Sequence, residues 1–238
     1  MADWKKGTYE EWMFEGRKAV LVKPKCAANG KWAIYTEYFW AFPDTAEELL
    51  ARGWHVAGLD NINRWGLEAD QDARHRFLLQ LHAKYGLERR CVPIGMSCGG
   101  LHAIKYAGMY PEDVAAMYLD APVVNLLSCP MRYASRDADP QLVAECLDAL
   151  DMTETQLLGY RGHPLDYIPI LTEHRIPIVL LYGDQDREVP YEENGALLEK
   201  AYLKADVPIR VICKPGCAHH PHGLERPDEL ADMIEGLL

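Results

Sequence analysis

The sequence lacks the basic surface by which proteins hold nucleic acid or an anionic membrane. Its 238 residues include 25 Lys and Arg against 36 Asp and Glu, so the formal net charge is -11, and no long basic run offsets it. Binding to phosphate backbones or lipid headgroups needs clustered positive charge. We therefore expect neither a nucleic-acid partner nor a membrane partner.

Long apolar runs and an N-terminal targeting segment are lacking as well. No stretch approaches the ~20 apolar residues of a membrane-spanning helix. Residues 1–7 include Trp4, Lys5 and Lys6 and have no apolar core of the kind found in secretory signal peptides. These absences predict a cytoplasmic protein.

The cysteines lack the spacing of a disulfide framework or of a zinc site. There are 7 of them, an odd number, and no two form a C-x-x-C pair. This pattern is typical of buried thiols in a reducing compartment. The sequence predicts free thiols at Cys26, Cys91, Cys98, Cys129, Cys146, Cys213 and Cys217.

Internal repeats, low-complexity tracts and linkers are also missing. Because 49% of the residues are hydrophobic, the sequence predicts one α/β domain that comprises residues 1–238. Short apolar runs alternate with helical patterns and predict a doubly wound, mostly parallel sheet with helices on both faces. The predicted strands are 8–14, 18–23, 54–59, 90–94, 114–119, 178–182 and 209–213, with the parallel part beginning at 18–23. The predicted helices of the main domain are 45–52, 69–85, 101–110, 192–204 and 227–238.

This alternation lapses between residues 125 and 175. The stretch contains polar helical patterns at 139–150 and 153–158 and several loop signals, but no clear strand. It is too short to be an independent domain, and the strand at 178–182 follows it directly. We predict a small helical cap inserted into the sheet at 125–175.

Aromatic residues cluster at 32–42, after a predicted loop at 24–31. Core packing is the ordinary role of such a cluster, and the alternative is that part of it walls a substrate pocket. The aromatic residues that could stack on a sugar or an aromatic acyl group, or equally pack in the core, are Trp32, Tyr35, Trp40, Trp65 and Tyr160.

A serine lies between two glycines where a predicted strand meets a predicted helix. Gly95, Ser97 and Gly99 fit the G-x-S-x-G nucleophile elbow, whose sharp turn lifts the serine oxygen above the sheet edge. Small residues are needed there because the strand and the helix approach closely. Ser97 is therefore the candidate nucleophile.

A reactive serine needs a histidine to take its proton and a carboxylate to orient that histidine. Acidic residues follow the strand at 178–182, and histidines follow the strand at 209–213. Both loops leave the carboxyl ends of strands, where open α/β sheets place their sites. The residues alone leave two acids open, Asp184 and Asp186, and three bases, His219, His220 and His222.

Over nearly its whole length the chain resembles serine hydrolases of the α/β-hydrolase superfamily. The resemblance rests on 95–99, on 183–190, which is similar to the G-x-x-D-x-x-V-P acid loop, and on 216–219, which is similar to the G-x-x-H pattern. It implies the α/β-hydrolase fold and a triad of Ser97, Asp186 and His219. Within the superfamily, the chain looks similar to bacterial carboxylesterase-like members and to members that are esterases of acylated carbohydrates.

A zinc site formed by His219, His220 and His222 is the alternative use of the histidine loop. Histidines so close on one loop rarely point at a single tetrahedral centre, and no cysteine pair accompanies them. We therefore expect no metal and no cofactor.

Acyl transfer also requires N–H donors for the developing oxyanion. The backbone N–H of Cys98, which follows the nucleophile, is the first candidate. The second is expected from the early loop at 29–32, where the common His-Gly pair of the superfamily is absent, and Trp32 is the predicted donor.

The predicted function is hydrolysis of a small or medium carboxylic ester, such as an acylated sugar, through an acyl-enzyme on Ser97. The partner is a small-molecule ester. Amidase, peptidase or thioesterase activity with the same triad is the alternative, and a non-catalytic binding protein on a hydrolase scaffold is another. The sequence predicts no oligomeric state.

Overall fold

The computed structural model describes residues 4–238, in which eight strands form one sheet in the order β1-β2-β4-β3-β5-β6-β7-β8. Residues 1–3 lie outside the described residues. They belong to the predicted domain 1–238 and to the N-terminal segment in which the sequence predicts no signal peptide. The strands are β1 Gly7–Phe14, β2 Arg17–Pro24, β3 Trp32–Tyr35, β4 His55–Leu59, β5 Val92–Met96, β6 Met117–Asp120, β7 Ile178–Gly183 and β8 Ile209–Lys214.

Eight α-helices accompany the sheet within residues 4–238. They are α1 Asp44–Ala51, α2 Glu68–Tyr85, α3 Cys98–Met109, α4 Pro140–Leu150, α5 Glu154–Gly159, α6 Ile168–Glu173, α7 Gly195–Ala205 and α8 Pro227–Glu235. The left-handed Gly86 ends α2, because glycine adopts φ +68° without a steric cost.

The core consists of two apolar layers, one on each face of the sheet. On one face Leu21 packs in a cluster with Phe77 of α2 and Leu198 of α7. On the other face Val22 packs in a cluster with Leu49 of α1. Successive residues of a strand point to opposite faces, so apolar strands bury both sides of the sheet. The predicted α/β sheet with helices on both faces is confirmed.

The prediction that the parallel sheet begins at 18–23 is wrong. The run at 18–23, where it was predicted to begin, forms β2, which pairs antiparallel with both β1 and β4. The parallel sheet begins instead at β3, which pairs with β4 and β5 and lies within the predicted aromatic cluster. β3 has only four residues, all buried, so it offers no alternation from which a strand could be predicted.

The stretch predicted as a cap lies between β6 and β7, and its helices pack in two different apolar clusters. Cys146 of α4 and Leu157 of α5 belong to an apolar cluster above the elbow that also contains Leu101 and Trp65. In contrast, α6 buries Leu171 in the main core. The part that contains α4 and α5 therefore packs in a different apolar cluster from the part that contains α6.

Among the described residues, no helix combines the length and apolar character needed to cross a membrane.

Candidate active site

Ser97 lies at the turn between β5 and α3 in a strained backbone conformation. Its φ of 52° and ψ of -121° fall in a region that residues with a Cβ rarely adopt. The turn is held because Ser97 donates its backbone N–H to the carbonyl of Asp120, and its own carbonyl accepts from Gly100 and Val123. This geometry presents the half-buried serine side chain at the carboxyl edge of the sheet.

Close packing explains the glycines around the serine. A Cβ on Gly95 would lie 2.6 Å from the carbonyl oxygen of Gly99, and one on Gly100 would lie 2.3 Å from Cβ of Pro122. A Cβ on Gly99 would meet Glu37 at 3.3 Å, a tight but milder contact. The strictest requirements are therefore at Gly95 and Gly100, the second of which lies outside the five-residue motif.

Asp186 and His219 form a buried pair across two loops. Asp186 follows β7 and His219 follows β8, and His219 Nδ1 lies 2.7 Å from Oδ2 of Asp186. The other carboxylate oxygen accepts the backbone N–H groups of Glu188 and Val189, each at 2.9 Å. Three hydrogen bonds thus fix the carboxylate and leave Nε2 of His219 available to a reacting group.

The other acid and bases of the two loops have different partners. Asp184 is exposed and accepts the backbone N–H of Gly216 at 2.7 Å, so it joins the two loops. His220 is exposed and stacks on Phe42, and its pKa is lowered by partial burial and by the adjacent imidazoles. His222 is buried with Nδ1 3.3 Å from Asp120, at an angle that leaves this nitrogen without a full hydrogen bond.

A cavity of about 490 Å³ opens above Ser97 and brings it together with His219. Within the described residues no hydrogen bond joins their side chains, and such contacts commonly tighten only when substrate binds. Phe42, Trp65 and Leu142 form apolar walls of the cavity. Its volume suits a small organic ligand.

Two arginines also line this cavity, and each is paired with an acidic residue. Arg64 pairs with Glu145 of α4 at 3.0 Å, and Arg132 pairs with Asp137 at 3.0 Å. The cavity therefore combines an apolar wall with a charged one, and the charges of the second are already paired.

Two curated proteins resemble part of the chain in sequence. No protein-family model matches it. It is 28% identical over 139 residues to the acylamino-acid-releasing enzyme of Mus musculus, a match that covers 55% of this chain and 18% of that protein. The Sus scrofa enzyme of the same name is 25% identical over 164 residues, with 67% and 21% covered. The chain thus spans about a fifth of the length of these curated relatives.

Solved structures agree with the chain over almost its whole length. A truncated carbohydrate esterase from gut microbiota superposes with a TM-score of 0.70 at 16% identity, covering 99% of this chain and 98% of that one. Dipeptidyl peptidase 4 of Porphyromonas gingivalis gives a TM-score of 0.71 at 16% identity, covering 97% of this chain and 35% of that one. The chain has the α/β-hydrolase fold. The fold expected from the sequence resemblance is therefore confirmed.

In the α/β-hydrolase fold, the first oxyanion donor is the N–H of the residue after the nucleophile. Cys98 occupies that position as the first residue of α3, and it lines the cavity. An N–H in the first turn has no partner within its own helix, so it can donate to a ligand. Burial raises the pKa of the Cys98 thiol to about 11, which keeps that side chain protonated at neutral pH.

The prediction of Trp32 as the second donor is wrong. Trp32 begins β3 at the amino end of the strand, roughly 10 Å from the carboxyl edge, and packs in the core with its indole N–H donating to the carbonyl of Glu88. The early loop at 24–31 precedes β3 instead of following it. In this fold the second donor comes from the loop after β3, which the unrecognised strand concealed.

Tyr38 and Phe42, in the loop after β3, line the cavity and were missed as individual site residues. The sequence feature that pointed to them was the aromatic cluster at 32–42, part of which forms a wall of the cavity. Of the aromatic residues named as stacking candidates, Trp65 reaches the cavity. Trp32 and Tyr35 pack in the core, and Trp40 packs against Trp4 and Phe39.

A buried ion pair behind the histidine loop was also missed. Asp120, at the end of β6, lies 3.1 Å from Nζ of Lys214, at the end of β8. The carboxylate also accepts the N–H of Gly223 at 2.6 Å, and Lys214 donates to the carbonyl of Pro221 at 2.9 Å. Burial by itself would raise the pKa of Asp120, but His222, Lys214 and Gly223 together hold it below its usual value. Residues 221–223 of this loop are thereby held against the ends of β6 and β8.

Proposed function

We propose that the chain is a serine hydrolase that cleaves a small or medium carboxylic ester. The observation that carries the proposal is the buried Asp186–His219 pair, joined at 2.7 Å, which opens onto the same cavity as the strained elbow serine Ser97. A histidine oriented by a carboxylate and placed beside a serine is the arrangement that activates a hydroxyl at neutral pH.

In the proposed mechanism, Ser97 Oγ attacks the ester carbonyl while Nε2 of His219 takes its proton. Asp186 holds the proton of His219 on Nδ1 and stabilises the imidazolium. His219 then gives its proton to the leaving alcohol, which leaves an acyl-enzyme. Water, activated by the same imidazole, attacks this acyl group and releases the acid and free Ser97.

The oxyanion is proposed to lie between the N–H of Cys98 and an N–H of the loop after β3. Tyr38 is the candidate in that loop because it lines the cavity and its φ of 55° turns the backbone sharply there. One such donor contributes roughly 3 kcal/mol of transition-state stabilisation in other enzymes.

Within this proposal, an acylated sugar is the expected ester. Trp65 offers an aromatic face, and the charged wall that includes Arg64 offers polar contacts to hydroxyl groups. The structural likeness to a carbohydrate esterase supports the same substrate class.

Hydrolysis of an acylated amino acid amide is the second candidate function. It is favoured by the sequence similarity to acylamino-acid-releasing enzymes. The same triad suits both reactions, because an ester and an amide both present a carbonyl to the serine and differ only in the leaving group.

The experiment compares wild type and Ser97→Ala on nitrophenyl esters of increasing acyl length, an acetylated sugar and an N-acetyl-aminoacyl anilide. We expect ester turnover to fall at least about a thousandfold in Ser97→Ala. His174→Ala, an exposed histidine distant from the cavity, is the control and keeps full activity.

Equal turnover by wild type and Ser97→Ala would reject the serine mechanism. Higher kcat/KM for the anilide than for every ester would select the second candidate. Absence of both turnover and labelling of Ser97 by a serine-directed phosphonate would instead indicate a binding protein on a hydrolase scaffold.

A cytoplasmic location is proposed as well, supported by the seven free thiols.

A further inference from the structure

Three histidines surround one point at the edge of the cavity. One ring nitrogen from each of His219, His220 and His222 lies within 4.8 Å of the others. The sequence predicted that histidines so close on one loop would point apart. In the structure the three rings instead lie edge to face in one cluster.

The spacing of the rings matches that of three imidazoles around a tetrahedral ion. Their centroids are 4.9, 5.1 and 4.9 Å apart, with interplanar angles of 67°, 81° and 83°. A Zn²⁺–N bond of about 2.0–2.1 Å and tetrahedral angles place imidazole centroids about 5 Å apart. Bringing the nitrogens to ligand distance needs movements of about 1 Å. His220, the exposed member, is free to supply most of that movement.

Carboxylates behind two of the rings favour metal binding. Nδ1 of His219 is held by Asp186 at 2.7 Å, which directs Nε2 away from the acid. Nδ1 of His222 lies 3.3 Å from Asp120 without a full hydrogen bond, so a small tilt of this buried ring would improve that contact. Carboxylate–histidine pairs of this kind orient imidazole ligands and raise their basicity.

We propose that His219, His220 and His222 form an inhibitory site for Zn²⁺ or a similar first-row transition ion. The inference rests on the proposed function, because its effect is to occupy the base of the triad. The lone pair of Nε2 on His219, which would accept the proton of Ser97, binds the ion instead. No covalent bond of the protein breaks, so removal of the ion restores the free imidazole.

The chemistry of the donors selects the class of ion. Neutral imidazoles suit Zn²⁺, Cu²⁺ and Ni²⁺, whereas Mg²⁺ and Ca²⁺ prefer oxygen ligands. The fourth position of the ion faces the cavity, where water can complete the tetrahedron. The nearby cavity thiols compete poorly, since burial raises the pKa of both Cys98 and Cys129.

The test uses tag-free, chelator-treated full-length chain. Zn²⁺ is titrated into the esterase assay, and Co²⁺ is titrated separately while its visible absorption is recorded. We expect Zn²⁺ to inhibit, EDTA to restore activity, Mg²⁺ to have no effect, and Co²⁺ to give a tetrahedral spectrum. In His220→Ala we expect the inhibition constant to rise at least about tenfold, relative to that variant's own metal-free rate, and the Co²⁺ spectrum to be lost. His174→Ala is the matched control and retains both responses.

The Co²⁺ titration is repeated on Ser97→Ala, which separates this inference from the proposed function. A tetrahedral spectrum there supports the metal site even if no ester is hydrolysed. The inference is overturned if wild type binds neither ion, if His220→Ala binds both as wild type does, or if Cys129→Ser, and not His220→Ala, abolishes inhibition.

Discussion

At the scale of the residue, hydrogen bonding separates two aspartates that the sequence places two positions apart. Asp186 receives His219 and two backbone N–H groups, whereas Asp184 receives only Gly216 and is exposed. A carboxylate can fix the tautomer of a histidine only by direct contact with it. The structure therefore supports Asp186, the residue that the family register favoured.

Asp186→Asn is expected to lower kcat for ester hydrolysis by about 10²–10⁴-fold while leaving KM largely unchanged. The asparagine amide would donate to Nδ1 of His219 and move the imidazole proton to Nε2, where it blocks proton transfer from Ser97. The matched variant Asp184→Asn is expected to stay within about threefold of wild type, since it weakens one exposed contact. Steady-state kinetics of both variants provide the measurement, and the reverse ranking would assign the acid to Asp184.

At the scale of the element, the elbow depends on the approach of α3 to the sheet. Gly95 and Gly100 leave room for the backbone of α3 and for Pro122, respectively. This contact fixes Cys98 at the start of the helix, and with it the N–H proposed to hold the oxyanion. Packing between two elements thus sets the geometry of a single donor.

Gly100→Ala is expected to destabilise the fold by about 1–3 kcal/mol, because its Cβ would lie 2.3 Å from Cβ of Pro122 and 2.6 Å from Cα of the same residue. The control is Gly159→Ala, whose Cβ would meet nothing within 4 Å. Urea unfolding measures both, and we expect the control to remain within about 0.5 kcal/mol of wild type. An equal effect at the two glycines would show that close packing at the elbow is not the cause.

At the scale of the whole molecule, one buried ion pair connects distant parts of the chain. Asp120 at the end of β6 and Lys214 at the end of β8 flank β7 and together hold the loop that carries His219. The sheet thereby fixes His219, the proposed general base, just as β5 and α3 fix Ser97, the proposed nucleophile.

Lys214→Met is expected to destabilise the protein by about 3–5 kcal/mol at neutral pH, because it leaves Asp120 buried without its cation. In wild type the lowered pKa of Asp120 contributes stability that is present above pH ~3.9 and is lost as pH falls through the folded-state pKa. The difference between wild type and variant should therefore shrink as pH falls through the folded-state pKa of Asp120, which is raised by burial in the variant and lowered in wild type.

Urea unfolding of both proteins across this pH range gives the measurement. Lys18→Met, which removes a solvent-exposed partner of Glu11, serves as the control and should leave the unfolding midpoint almost unchanged. A Lys214→Met effect that does not depend on pH would indicate lost packing instead of lost charge.

The sequence by itself determined the features that local chemistry encodes. Apolar runs marked seven of the eight strands, and Gly95, Ser97 and Gly99 marked the elbow, because both depend on residues adjacent in the chain. Asp186 and His219 were predicted from family patterns in single loops. All of these signals lie within a few consecutive residues.

Only the tertiary structure decided what depends on contacts between distant segments. β3 is recognisable through its neighbours β4 and β5, and its position excludes Trp32 from the site. The Asp120–Lys214 pair joins residues 94 apart. The convergence of His219, His220 and His222 likewise follows from how the loop folds back upon the sheet. Side chains remote in sequence, or oriented by a turn, meet only once the sheet has assembled, so no local pattern could predict them.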